Sequence, residues 1–227
     1  MRELIVARHA ESAASVLGVM NGDPALGVAL TATGREQARR LGEALRAAGI
    51  DLCVVTELPR TQETAEIVLA TWAAARRAAG HGAAAGSGDP AARGGDADAA
   101  AVPLLVLPTL DEVRFGAWEG RSLDEYRTWA LTAGPAEPCP GGGESRAEIA
   151  ARLADGFASL ADRAEATLLC IGHSLPLRYL LDAAAGLVPA RRVEGLPYAE
   201  PFRLAASEVA RAAALLAAWA AAPAWRR

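Results

Sequence analysis

Four short apolar runs alternate with longer helix-like stretches along the 227 residues, and this alternation restricts the fold more than any other feature of the chain. The runs are LIVA at 4–7, LCVV at 52–55, LLVL at 104–107 and TLLCI at 167–171. Each run has the length and composition of a buried strand. The alternation predicts an α/β protein, a three-layer sandwich in which helices cover both faces of a mostly parallel central sheet.

Polar side chains follow these runs where the strands would end. Arg8 and His9 follow the first run, Arg60 the second, Glu112 the third and His173 the fourth. Right-handed crossovers bring the carboxyl ends of parallel strands to one edge of a sheet, which is where open α/β sheets bind ligands. We therefore expect the five side chains to meet there. The arginines and histidines among them indicate a pocket for an anion.

Two helix starts are predicted beside this edge. Pro59 indicates a helix that begins next to Arg60, and Ser174 is the predicted N-cap of a helix with Pro176 in its first turn. A cation at a helix N-terminus opposes the helix dipole, so Arg60 indicates an anionic partner. The helix start beside His173 would itself favour phosphate.

Six segments, in order along the chain, resemble the histidine phosphatase superfamily, whose members include the cofactor-dependent phosphoglycerate mutases. They are ARHAES at 7–12, LTATGREQA at 30–38, TELPRTQETA at 56–65, LDEVRFGAWEG at 110–120, PGGGES at 140–145 and IGHS at 171–174. The resemblance covers most of the chain and implies a phosphoglycerate mutase-like fold with a lid insertion.

The resemblance also implies a role for each residue at the strand ends. His9 would be the nucleophile that attacks phosphorus and becomes a phosphohistidine. Glu112 would be the general acid and base, and only the resemblance selects it over its neighbour Asp111. Arg8 and Arg60 would bind the phosphoryl oxygens through their planar, permanently charged guanidinium groups. His173, if protonated, would add a third positive donor to the transferring group.

Several positions near the nucleophile stay open. Members of the family often have glycine where Ala10 stands, and an asparagine that contacts phosphate six positions after the nucleophile, where this chain has Ser15. The Ser15 hydroxyl or the Asn21 amide would have to supply that contact. Glu11 and Glu119 fit a structural role as well as a catalytic one.

The chain is predicted to form one domain over residues 1–227. Residues 115–148 would form a lid over the catalytic edge, with Arg114, Trp118 and Arg121 as candidate substrate contacts. Residues 76–101 are rich in glycine and other small residues and are predicted to form a flexible low-complexity loop.

Composition argues against several other classes of protein. The three histidines occur without an HExxH, a paired CxxC or an aspartate-rich ion loop, so neither a metal site nor a cofactor is predicted. A net charge of −4 argues against a nucleic-acid partner. The three cysteines show no pairing pattern and the sequence has neither a signal peptide nor a bilayer span, which predicts a cytoplasmic protein without a membrane partner.

The function implied by the resemblance is a metal-independent phosphatase that hydrolyses a small phosphomonoester metabolite through a phosphohistidine. The alternatives are phosphoglycerate mutase-type phosphotransfer, a protein-phosphohistidine phosphatase and a non-catalytic scaffold. EVRFGAWEG at 112–120 differs from the ERHYGALQG typical of the mutases and favours the phosphatase. A homodimer is an expectation of the resemblance alone. The substrate stays open among sugar phosphates, phosphoglycerate derivatives and nucleotide-loop precursors of cobalamin, and a broad acid phosphatase activity is open as well.

Overall fold

The computed structural model describes residues 1–84 and 101–226 as five strands and seven helices. The strands are β1 (Glu3–Arg8), β2 (Leu52–Val55), β3 (Leu104–Val106), β4 (Thr167–Gly172) and β5 (Pro201–Ala205). The helices are α1 (Ala13–Leu17), α2 (Ala32–Ala44), α3 (Pro59–Ala84), α4 (Leu123–Ala130), α5 (Arg146–Ala161), α6 (Ser174–Ala184) and α7 (Ala206–Ala221). Short 3₁₀ turns lie at Pro108–Leu110 and Gly116–Trp118, and the second is inside the predicted lid at 115–148.

The five strands form one sheet in the order β3-β2-β4-β1-β5. β1, β2, β3 and β4 run parallel to one another, which confirms the predicted sheet. The fifth strand, β5, pairs antiparallel with β1 and was not predicted. Its sequence PFRLA starts with proline and contains an arginine, a composition that is tolerated because β5 lies at the edge of the sheet.

The alternation of side chains along β1 explains the two-sided core. Leu4 and Val6 pack with α5, α6 and α7 on one face, whereas Ile5 and Ala7 pack with α2 and α3 on the other. All four side chains are fully buried, as expected for a central parallel strand that is covered on both faces. The three-layer sandwich is therefore confirmed.

The structure differs from the sequence predictions in the burial of one strand and in the limits of two segments. β3 was predicted to be buried, but Leu104 and Val106 are 46% and 45% exposed because this short strand lies at the other edge of the sheet. The predicted loop at 76–101 is helical as far as Ala84, where alanine favours helix, and residues 85–100 lie outside the described part of the chain. The predicted lid at 115–148 contains α4, and its last three residues already belong to α5.

No helix in residues 1–84 and 101–226 is long and apolar enough to cross a membrane. Three free cysteines, Cys53, Cys139 and Cys170, are buried. Burial raises the pKa of the Cys139 thiol to about 11 and that of Cys170 to about 12, so both are neutral thiols at physiological pH.

Close packing of α2 on α3 yields a test of the helical layer. A Cβ atom at Gly42 would lie 2.6 Å from the Val68 carbonyl oxygen and 2.8 Å from the Thr71 Cβ atom. Gly42→Ala should therefore lower the free energy of unfolding by about 1–2 kcal/mol, because overpacking outweighs the gain in helix propensity. Urea denaturation measures the change. Gly49→Ala is the matched control, since no heavy atom lies within 4 Å of its added Cβ, and equal losses in both variants would contradict the packing argument.

Candidate active site

The parallel strands bring the predicted residues to one edge of the sheet. Arg8 ends β1, Arg60 lies in the first turn of α3 just after β2, and His173 follows β4. The His9 amide donates to the Gly172 carbonyl at 2.8 Å, which continues the β1–β4 pairing by one residue. His173, rather than the predicted Ser174, is the N-cap of α6, so the helix starts one residue earlier than expected.

His9 is held in one orientation by two hydrogen bonds. Its Nδ1 atom lies 2.7 Å from the Ala10 carbonyl oxygen, and Arg60 Nε donates to its Nε2 atom at 3.1 Å. These contacts favour the tautomer with the proton on Nδ1 and a lone pair on Nε2. Burial, followed by the charges of Arg60 and Arg8, lowers the pKa of His9 well below 6.5. The ring is therefore neutral near pH 7 and has a nucleophilic nitrogen.

Arg60 connects the segments around the site. Its NH1 group donates to Asn21 Oδ1 at 2.6 Å and its NH2 group donates to the Asn21 carbonyl at 2.9 Å. The same NH2 group lies 3.3 Å from His173 Nδ1. Only 4% of Arg60 is exposed, and a buried guanidinium needs such partners. Both histidines are thus fixed relative to one cation.

Arg8 is oriented by a segment that sequence reasoning missed. Its NH1 group donates to the Leu196 carbonyl at 2.8 Å, and its guanidinium carbon lies 3.9 Å from the centre of the Tyr198 ring. Arg8 Nε is buried and has no hydrogen-bond partner among the described residues. An unsatisfied buried donor on a cation beside His9 is a feature that a bound anion could satisfy.

His173 is fully buried, and its surroundings bear on whether it carries the proton on which its predicted donor role depends. Its Nε2 atom lies 2.9 Å from Thr56 Oγ1, and its Nδ1 atom lies 3.8 Å from Glu112 Oε2. Burial, followed by the charges of Arg60, His9 and Arg8, lowers the pKa of His173 well below 6.5. Without an anion beside it, His173 is a neutral hydrogen-bonding group.

Glu112 and Asp111, which the sequence could not separate on local grounds, occupy different environments. Glu112 lines the cavity described below, whereas Asp111 accepts a hydrogen bond from the Glu57 amide at 2.9 Å. Burial raises the pKa of Glu112 above 4.5, although the positive charge of Arg60 and the Val113 amide oppose this shift. Burial also raises the pKa of Asp111 to about 6. Glu112 is therefore the carboxyl group that can donate a proton into the cavity.

A buried ion pair holds the segment that carries Glu112. Arg152 on α5 donates to Glu144 through Nε at 2.8 Å and NH2 at 2.9 Å. Its remaining donors reach the carbonyls of Thr109, Asp111 and Glu112 at 3.0, 3.0 and 3.3 Å. Glu144 lies in the PGGGES segment, but no pattern in the sequence pairs it with Arg152.

A cavity of about 750 Å³ opens at the edge of the sheet. Arg8, His9, Arg60 and Glu112 line it, whereas His173 lies behind them. Part of the remaining wall comes from α4 in the predicted lid, and another part comes from residues 191–195 and Tyr198. The latter segment carries no strand or helix pattern, and its role is visible only in the folded chain.

The three predicted lid contacts do not line this cavity. Arg114 forms an ion pair with Glu144 at 3.2 Å. Trp118 packs 6.0 Å from Trp129, ring centre to ring centre, and Arg121 lies over Trp118 at 4.6 Å. Arg114 therefore contacts Glu144, and Trp118 and Arg121 contact other side chains of the predicted lid, whose aromatic rings pack on one another. Substrate contact by these three side chains therefore stays a prediction, and the contacts seen here are structural.

Ser15 and Asn21 both line the cavity. Asn21 holds Arg60, while the Ser15 hydroxyl lies 2.8 Å from that of Ser12. Ala10 does not have a positive φ, so alanine causes no backbone strain at this position, where other family members often have glycine.

Glu11 and Glu119 both have structural partners. Glu11 accepts from the Thr31 hydroxyl at 2.6 Å. Glu119 accepts from the Gly22 amide at 2.9 Å and the Phe115 amide at 3.1 Å, which ties two loops at the cavity together.

Residues 1–84 and 101–226 contain no group of three or more histidine, cysteine, aspartate or glutamate side chains that could hold a metal ion.

Comparison with known proteins identifies the family. Residues 4–77 and 95–213 match the histidine phosphatase superfamily (branch 1), and the chain belongs to this family. It is 27% identical over 194 residues to "Probable phosphoglycerate mutase GpmB" of Erwinia tasmaniensis, a match that covers 82% of this chain and 76% of the relative. It is 30% identical over 114 residues to the adenosylcobalamin/alpha-ribazole phosphatase of Escherichia coli, covering 50% of this chain and 41% of that protein.

Solved structures support the fold independently. The alpha-ribazole phosphatase from Shigella flexneri superposes with a TM-score of 0.65 at 24% identity, covering 88% of this chain and 89% of that chain. Bacillus stearothermophilus YhfR superposes with a TM-score of 0.64 at 26% identity over 88% and 89% of the two chains. These likenesses confirm the fold, and the family match confirms the predicted membership of the histidine phosphatase superfamily.

The protonation of the two buried histidines can be measured directly. An ordinary histidine is about half protonated at pH 6.5. Because the pKa values of His9 and His173 are lowered, both rings should remain neutral at that pH, and His9 should carry its proton on Nδ1. Nitrogen-detected NMR of the imidazole groups tests this, with His9→Gln and His173→Gln variants for assignment. A protonated His9 ring at pH 7 would contradict the electrostatic argument.

Proposed function

We propose that this chain is a metal-independent phosphatase that hydrolyses a small phosphomonoester metabolite through a phosphohistidine at His9. The observation that carries the proposal is the neutral, oriented His9 ring, whose Nε2 atom faces a buried arginine inside a cavity that also contains the protonatable Glu112. Family membership and the phosphatase relative support the same reaction class.

In the first step, His9 Nε2 attacks the phosphorus atom, and the bond from phosphorus to the ester oxygen breaks. The electron pair of that bond goes to the leaving oxygen, which takes a proton from the Glu112 carboxyl group. The raised pKa of Glu112 favours the protonated form that this step requires. Arg8 and Arg60 would bind the nonbridging oxygens, and the unsatisfied Arg8 Nε donor supports that role.

In the second step, water attacks the phosphohistidine. The Glu112 carboxylate takes a proton from the water, the bond from phosphorus to Nε2 breaks, and its electron pair returns to His9 as inorganic phosphate forms. Burial, followed by nearby positive charges, lowers the pKa of His173. A phosphoryl group beside the ring would offset those charges, so substrate binding would favour its protonated, donating form. Ser15 and Asn21 would complete the phosphate site from the cavity wall.

Mutase-type phosphotransfer is the second candidate, and the relative with the mutase name favours it. A mutase must keep its bound product and exclude water from the phosphoenzyme, whereas hydrolysis requires water to enter. A cavity of about 750 Å³ around His9 favours access of water. A protein-phosphohistidine phosphatase is a further alternative. Its protein substrate would have to pass α4 and the segment at 191–195, which form part of the cavity wall. A small substrate fits this cavity better.

A panel of phosphomonoesters tests the reaction class. Phosphate release from p-nitrophenyl phosphate, sugar phosphates and 3-phosphoglycerate should persist in EDTA, and His9→Ala should lower turnover by at least about a thousandfold because the nucleophile is absent. Phosphate assay and product analysis by NMR distinguish hydrolysis from transfer. Isomerised phosphoglycerate without phosphate release would establish the mutase. Activity that needs added metal, or that survives in His9→Ala, would contradict the proposal.

The pH dependence tests the role of Glu112. The reactive enzyme has neutral His9 and protonated Glu112, so kcat/KM should rise as pH increases through the lowered pKa of His9 and fall as pH increases through the raised pKa of Glu112. Glu112→Gln should abolish the alkaline decline and lower turnover of alkyl phosphates by about 100- to 10,000-fold.

The leaving group provides the control for Glu112. Because p-nitrophenolate leaves without protonation, Glu112→Gln should affect p-nitrophenyl phosphate much less than a sugar phosphate. Asp111→Asn changes the neighbouring carboxyl group, which binds the Glu57 amide outside the cavity, and should affect both substrates only slightly. Equal losses for both leaving groups in Glu112→Gln would exclude general acid catalysis by Glu112.

A further inference from the structure

The cavity has a charge opposite to that of the whole chain. The protein carries a net charge of −4. Two glutamates line the cavity, Glu112 and Glu194, against six arginines: Arg8, Arg60, Arg127, Arg146, Arg191 and Arg192. Charges inside a cleft with low-dielectric walls act more strongly than charges on an open surface. One phosphoryl group would engage Arg8 and Arg60 and leave four arginines unexplained.

Three of these four arginines, Arg127, Arg191 and Arg192, do not by themselves indicate a ligand. Arg127 is exposed and lies 3.5 Å from Asp124. Arg191 donates to the Leu131 carbonyl at 2.6 Å, so it ties its own segment to the end of α4. Arg192 is exposed to solvent, where an arginine needs no protein partner.

Arg146 differs from them in burial and in its partners. It is the first residue of α5, it is partly buried, and its one hydrogen bond within the described chain is a long contact of 3.4 Å with the Tyr179 hydroxyl. No carboxylate oxygen in residues 1–84 and 101–226 lies within 4.0 Å of its guanidinium. Its buried neighbours Tyr126 and Cys139 are neutral, because burial raises the pKa of Tyr126 to about 12 and that of Cys139 to about 11.

The location of Arg146 adds a second argument. A cation in the first turn of a helix faces the positive end of the helix dipole, which disfavours it unless an anion is nearby. The Ser145 and Glu148 side chains already cap the start of α5, so Arg146 is not needed for capping. A partly buried guanidinium in a cavity, permanently charged and without a counter-ion, has free donors for a bidentate anion.

We propose that Arg146 forms a second anion subsite, so that the substrate carries a carboxylate or a second phosphate in addition to the phosphoryl group transferred to His9. This inference rests on the proposed phosphatase function and adds the substrate class to it. The second anion binds the Arg146 guanidinium in the wall between α4 and α5. It does not take part in bond breaking, so Arg146 determines specificity rather than the chemical step.

Matched substrate pairs test the subsite, since the members of each pair differ in one anionic group. Two pairs vary a carboxylate at different distances from the phosphate: 3-phosphoglycerate with glycerol 3-phosphate, and 6-phosphogluconate with sorbitol 6-phosphate. A third pair, fructose 1,6-bisphosphate with fructose 6-phosphate, varies a second phosphate. The quantity measured is the ratio of kcat/KM within each pair, for the unaltered protein, Arg146→Met and Arg146→Lys.

At least one pair should favour the doubly anionic member, and Arg146→Met should reduce that ratio by about 10- to 100-fold, the effect expected for loss of a hydrogen-bonded charge. Arg146→Lys should retain part of the preference. Arg121→Met is the matched control, because Arg121 pairs with Glu125 and does not line the cavity, and it should leave the ratio as it is. Ratios near one in all three pairs, or ratios that Arg146→Met does not change, would overturn the proposal.

Binding measurements separate this inference from the proposed function. Calorimetric titration of His9→Ala and of His9→Ala/Arg146→Met with the same compounds reports the subsite without turnover. The subsite would be supported if His9→Ala prefers the doubly anionic compound and His9→Ala/Arg146→Met does not. If the unaltered protein also releases no phosphate from any compound, the subsite would stand and the phosphatase proposal would be contradicted. Phosphate release without any such preference would support the phosphatase and contradict the subsite.

Discussion

The guanidinium of Arg60 is the contact on which the arrangement of the site depends. It donates to His9 through Nε and to Asn21 through both terminal nitrogens, and it lies 3.3 Å from His173. These partners come from the end of β1, the loop after α1 and the start of α6, so one side chain aligns three separate segments. A buried guanidinium is tolerated only where its donors are satisfied, and this requirement also makes the geometry specific.

Burial shifts the pKa values of His9 and Glu112 in opposite directions. Removal from water disfavours any charged form, so it lowers the pKa of His9 and raises that of Glu112. Burial therefore favours the neutral imidazole of His9 and the protonated carboxyl of Glu112 within the same cavity. The buried Thr56 hydroxyl lies 2.9 Å from His173 Nε2 and 2.9 Å from the Thr61 hydroxyl, so Thr56 contacts the imidazole ring directly and Thr61 supports Thr56.

The sequence predicted those features that depend on a local pattern, such as a run of apolar residues that must be buried as a strand. Short apolar runs followed by helices predicted the parallel strands, and the ends of those strands indicated Arg8, His9, Arg60 and His173. Sequence reasoning missed β5, whose proline and arginine hide the strand. It also could not show that Arg114, Trp118 and Arg121 lie outside the lining of the cavity. Nor could it find Arg146 or Arg152, because the pattern of a helix does not show which neighbouring segment its side chains meet.

The sequence by itself determined the family, the layered α/β architecture and the chemical type of the site, because strand pattern and motif order are properties of the chain. Only the tertiary structure decided which of two adjacent carboxyl groups faces the cavity, whether His173 is charged, and which arginines remain available to a ligand. Those outcomes depend on burial and on contacts between segments far apart in sequence, such as Arg152 with the Glu112 carbonyl. Such contacts form only when the whole chain folds, so no local pattern records them.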